Sequence, residues 1–130
     1  MESVKALPYE DADSEKPSAS VIRALKDQFP GRDLHRVEKK IGDDGEPLVF
    51  VMTGPTRAEW KKYQADVALA GEDEAKIEKA LLHGVLPQIK WPDRPIVEAI
   101  FEKYPALIAT FPRHLNAFAG LEAETTVKKL

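Results

Sequence analysis

The stretch Leu48-Val49-Phe50-Val51-Met52-Thr53-Gly54-Pro55-Thr56-Arg57-Ala58-Glu59-Trp60 holds the change of periodicity on which the fold turns. Its first part is a compact apolar run rich in Val and Phe, side chains that suit a pleated and buried surface, so it reads as a strand. Gly54-Pro55 ends that strand. Thr56, followed three residues later by Glu59, has the pattern of a capping box. In that arrangement the threonine hydroxyl accepts from the Glu59 amide, and the carboxylate accepts from the Thr56 amide. A helix is therefore predicted to start at Thr56, with Trp60, Tyr63, Val67 and Ala70 on its apolar stripe and Gly71 at its close.

Working back toward the N-terminus, residues 34–41 alternate loosely, with His35, Val37, Lys39 and Ile41 on one face. Gly42-Asp43-Asp44-Gly45-Glu46-Pro47 lies between this half-exposed strand and the apolar one, and it is dense in residues that accept positive φ or set a turn. Together they read as a β-hairpin. In its second strand Val49 and Val51 should face one way and Leu48, Phe50 and Met52 the other, with at least one side under helices. Before the hairpin, Val21, Leu25 and Phe29 recur about once per turn until Pro30-Gly31, which predicts a short helix over 20–28.

Toward the C-terminus, Glu72-Asp73-Glu74 suits the positive end of a helix macrodipole, and Ile77, Ala80, Leu81 and Val85 supply a buried side, so a helix is predicted over 73–83 with Gly84 as its cap. Leu86-Pro87-Gln88-Ile89-Lys90-Trp91-Pro92 then reads as a proline-bounded connector carrying exposed apolar groups. Asp93 is the candidate cap of a third helix whose face is Ile96, Val97, Ile100, Phe101 and Tyr104, with Pro95 tolerated in the first turn and Pro105 as the stop. A last segment over 106–119 carries Leu107, Ile108, Phe111, Leu115 and Phe118 but must break or kink at Pro112, which has no N–H to donate.

The predicted class is therefore α+β and mostly helical: a short N-terminal helix, a β-hairpin and a bundle of about four helical segments. With 130 residues one core is feasible, since a chain of this size buries roughly two thirds of its unfolded surface. The expected organisation is a flexible acidic arm over 1–17, a single globular domain over 18–121 and a loose tail over 122–130.

Bulk composition narrows the functions. A formal net charge of −3 lacks the broad basic footprint of a nucleic-acid binder. With no cysteine there is no thiolate nucleophile or thiolate metal site, which suits a reducing compartment. No apolar run approaches the roughly 18 residues of a membrane span, so an intracellular, soluble protein is expected.

Chemistry-bearing patterns are sparse. His35, His83 and His114 are far apart in sequence and none belongs to a helical two-histidine motif, so no metal site is predicted. Glu59 is read as a capping partner rather than a general acid or base, and no phosphate-cradling glycine motif occurs. Arg57, Lys61 and Lys62 form a small basic cluster beside Glu59 and Asp66, for which pairing across one helical turn is the simplest account. Trp60 with Tyr63, and Phe101 with Tyr104, are read as core aromatics rather than base-stacking platforms. No catalytic residue and no cofactor are predicted.

The run from Phe50 to Lys61 resembles a recurring segment of small bacteriophage tail assembly chaperones: a strand, a Pro-Thr-Arg-Ala-Glu-aromatic helix entry, then a lysine-rich helix. Leu86-Pro87-Gln88-Ile89-Lys90-Trp91-Pro92-Asp93, then Ile100-Phe101-Glu102-Lys103-Tyr104-Pro105 and a helix ending in Ala119-Gly120, give a second similar stretch, so the resemblance spans most of 34–120. The chain departs from the pattern at Met52-Thr53-Gly54, where the family has an arginine at the strand end. The resemblance implies a non-enzymatic protein of the host cytoplasm that binds tape measure or tail tube protein during virion assembly.

Leu86, Ile89 and Trp91 are the candidate partner-binding residues, with Arg57 and Lys61 on the preceding helix as a secondary surface. A small structural virion protein of the head, connector or tail is the first alternative, which would place the chain in the virion. A nucleic-acid-binding regulator using the helix from Arg57 to Lys62 is the second. Self-association is left open.

Overall fold

The computed structural model describes residues 17–43, 45–121 and 123–130. The predicted arm, apart from Pro17, lies outside the described residues. The architecture is α+β and mostly helical, as the periodicities require. Helix α1 (Ala19–Gln28) leads into strands β1 (His35–Lys39) and β2 (Leu48–Met52), followed by helices α2 (Arg57–Ala70) and α3 (Glu74–Val85). A 3₁₀ turn (Leu86–Gln88), strand β3 (Ile89–Trp91), helix α4 (Arg94–Lys103), a 3₁₀ segment (Pro105–Thr110) and helix α5 (Pro112–Phe118) complete it.

The predicted hairpin forms, with Val37 opposite Phe50 in an antiparallel register, and it recruits a third strand. β3 pairs antiparallel with β2, giving the order β1-β2-β3. This strand lies in the stretch read as a proline-bounded connector; it is three residues long, too short for a period-2 signal, and exists because β2 offers a free edge. Leu48, Phe50 and Met52, expected to share a face, are all in the core, and Val51 on the opposite side is buried too.

The core lies between this sheet and the C-terminal helices. Phe111 is fully buried and meets Phe50 edge-on at 5.3 Å and Phe101 at 5.5 Å between ring centroids. Val85, Val97, Ile100, Leu107 and Leu115 close around it. Pro112 opens α5, where its missing N–H has no intrahelical acceptor to lose.

α2 and α3 form a helical hairpin. Thr56 caps α2 with both halves of the capping box present. Ala70 and Ala80 are buried small residues of the pair, whereas Val67, expected on the core stripe, is 38% exposed. Gly84 is not the predicted cap: α3 continues through it to Val85. Its role is close approach, since a Cβ there would stand 2.3 Å from Cδ1 of Tyr63. Asp93 holds the cap position of α4, but its carboxylate makes no capping hydrogen bond. Residues 123–130 are exposed and adopt neither helix nor strand.

Candidate functional site

The connector after α3 is pinned from three sides by a buried polar hub centred on Gln88, which is 1% exposed. Its backbone carbonyl accepts from the Thr53 amide at 2.9 Å, continuing the pairing of β2 with β3 beyond the strand ends. The amide side chain is satisfied at both ends. Oε1 accepts from the Thr53 hydroxyl at 2.9 Å and from the Arg32 guanidinium at 3.2 Å, while Nε2 donates to Glu59 at 3.0 Å. Only this orientation of the amide matches donors to acceptors, so the network selects it.

Glu59 thereby joins the helix cap to the hub. Its Oε1 accepts from the Thr56 amide at 2.8 Å and from Gln88, and lies 3.8 Å from the Arg32 guanidinium. Burial alone would raise its pKa, but the hydrogen bonds from Thr56 and Gln88 and the charge of Arg32 outweigh it, so the carboxyl sits below its usual range. Arg32 also donates to the Thr53 hydroxyl at 3.0 Å and to the carbonyl of Gly54. An arginine thus does cover the end of β2, but it arrives from the turn after α1. Lys90 ties the connector back to α1: its ammonium donates to the Pro87 carbonyl at 2.7 Å and stands 4.5 Å from the Phe29 ring centroid. Burial and then the charge of Arg32 lower its pKa, against the opposing pull of Glu59.

This hub separates the predicted partner-binding residues. Ile89 is buried in the core at 8% exposure, so its side chain is not offered to a partner. Leu86 and Trp91 remain half-buried, Leu86 against the core cluster and Trp91 on β3 opposite Val51. The Trp91-Pro92 peptide bond is cis. Arg57 and Lys61 are exposed on α2, away from this group in sequence and without an ion pair among the described residues, whereas Lys62 pairs with Asp66 at 3.0 Å. Gln88 itself was not singled out. A lone amide inside Val85-Leu86-Pro87-Gln88-Ile89 is the one signal that could have marked it, because an apolar neighbourhood obliges a polar group to find partners.

A second cluster joins β1 to α5 with residues far apart in sequence. The Lys39 ammonium donates to the His114 Nε2 at 2.6 Å and to the Thr110 carbonyl at 3.2 Å, and it stands 4.8 Å from the Phe111 ring centroid. His35 stacks on Phe118 with 3.8 Å between centroids. Burial, then Lys39 and Arg113, lower the pKa of His114, and a neutral imidazole is what an acceptor nitrogen requires.

Beside the connector lies a groove of about 390 Å³ between α3 and α4. Leu82, Leu86, Phe101 and Ile108 form its floor, and Glu78, Glu98 and Glu102 stand along its rims. No family model matches the chain, and neither a curated protein nor a solved structure matches it. Among the described residues no helix is long and apolar enough to cross a membrane.

Proposed function

We propose that the chain is a non-enzymatic protein-binding protein of a tailed phage or prophage, acting as a tail assembly chaperone that engages tape measure or tail tube protein in the host cytoplasm. The observation that carries the binding role is the pinned connector. Gln88 holds it from inside, so half-buried Leu86 and Trp91 are presented on a backbone already ordered, which lowers the entropy lost on binding. The tail-assembly role rests on the resemblance of residues 50–61 and of the stretch from 86 to 120.

Trp91→Ala tests the reading. As a binding anchor it should lose about 2 kcal/mol or more of affinity for the tail protein captured by the parent chain, while the fold stays nearly as stable. A loss of about 3–5 kcal/mol of folding stability with unchanged capture would make Trp91 a core residue instead. If the parent co-purifies with neither the tape measure nor the tail tube protein encoded beside its gene, the tail-assembly reading fails.

A further inference from the structure

We infer that the groove between α3 and α4 docks a basic amphipathic helix of a partner protein, an inference that rests on the protein-binding role proposed above. The groove combines two opposed demands. Its floor of Leu82, Leu86, Phe101 and Ile108 asks for apolar side chains. Its rims carry carboxylates on both sides, Glu78 on α3 and the Glu98/Glu102 pair, one helical turn apart, on α4.

None of these three glutamates makes an ion pair or side-chain hydrogen bond among the described residues. Three carboxylates without an ion pair among the described residues, set around apolar surface, favour an occupant with cations on both flanks of an apolar stripe, the pattern of an amphipathic helix with lysine or arginine beside its buried face. The walls are themselves helices: α3 presents Glu78 and Leu82 four residues apart and Leu86 follows at its C-cap, so a third helix laid between them would meet a continuous ridge. A second copy of the chain is a poorer fit. The aromatic side chains beside exposed Arg57 and Lys61 on α2, Trp60 and Tyr63, already pack on their own core, and the hollow that holds Lys76, Lys79 and Leu69 does not fill another hollow.

The test uses two synthetic amphipathic helices, one of leucine and lysine and one of leucine and glutamate, titrated against the full chain at low and high salt. The leucine–lysine peptide should bind, the leucine–glutamate peptide should not, and added salt should weaken the binding. Glu98→Lys/Glu102→Lys should weaken it by about tenfold. Asp27→Lys/Glu46→Lys makes the same change of net charge at exposed positions elsewhere and should alter it by less than about twofold.

Equal losses in the two double variants, or none in the groove variant, overturn the inference. So does concentration-dependent self-association of the parent in sedimentation that the groove variant abolishes, because the occupant is then a second copy. Tail-protein capture that persists when the groove variant binds the peptide unchanged removes the groove alone. Groove-dependent peptide binding without tail-protein capture removes the tail-assembly reading alone.

Discussion

The hub around Gln88 and the seam between β1 and α5 do the same mechanical job with different materials. Each fastens helical structure to an end or edge of one small sheet. In the hub, Thr53 and Gln88 are 0% and 1% exposed, and each hydrogen-bonding end of the Gln88 amide has a partner. Apart from fully buried Phe111 the seam is half-exposed, and it relies on a lysine, two imidazoles and two phenyl rings. A buried amide stripped of water must be matched completely, so the hub should be sensitive to any change of partner. Stacked rings and cations near solvent tolerate substitution better but respond to pH, because burial and neighbouring charge act on His114.

The largest effect should come from Gln88→Leu, which keeps the volume roughly but leaves the Thr53 hydroxyl without its acceptor and removes a donor from Glu59. A loss of about 2–3 kcal/mol in denaturant unfolding is expected. A change below about 0.5 kcal/mol would show that the hub relaxes like a surface contact and would erase the contrast with the seam. Thr56→Ala removes only the hydroxyl half of the cap, which accepts from the Glu59 amide at 3.2 Å, and should cost about 1 kcal/mol. An unchanged unfolding midpoint would mean that Glu59 and Gln88 hold the start of α2 without it.

The smallest effect concerns pH. His114 in the folded chain titrates below its ordinary value of 6.5, so between the two values the unfolded chain binds more protons and stability rises with pH. The contribution is complete above the unfolded value and is lost as pH falls through the folded one. Unfolding midpoints measured at about pH 7.5 and about pH 5.5 should therefore differ, with the lower pH less stable, and His114→Phe should flatten that difference. Gln88→Leu should leave it intact. Glu59 acts in a separate, more acidic window, since its depressed pKa removes stability only below the ordinary carboxyl range. If Gln88→Leu rather than His114→Phe flattens the step, the two regions are coupled rather than independent.

Much of the architecture could be read locally because its causes are local. A capping box acts within four residues, so Thr56 and Glu59 announced α2 without any knowledge of what the helix meets. Pro105 and Pro112 mark their boundaries because a missing N–H has the same consequence wherever it falls. Alternation in β1 and the apolar run of β2 disclosed the hairpin and the face that Phe50 shares with Leu48 and Met52. Neither the third strand nor the site could be read this way. β3 is strand only because β2 has an edge to give, and Gly84 is required only because the Tyr63 ring presses on it from another helix.

The sequence by itself determined the helices and the hairpin, most of their ends, and the α+β class with its helical majority, since propensity, capping and periodicity act over a few residues. Tertiary structure alone decided that Gln88 would be buried and matched by Arg32, Thr53 and Glu59, and that Lys39 would meet His114. It also decided that the carboxylates of α3 and α4 would face each other across an apolar floor. The hydrogen-bonded partners lie between 29 and 75 residues apart along the chain. No local rule reaches that far, and packing the helices onto the sheet is what converts ordinary polar residues into a hub and a groove.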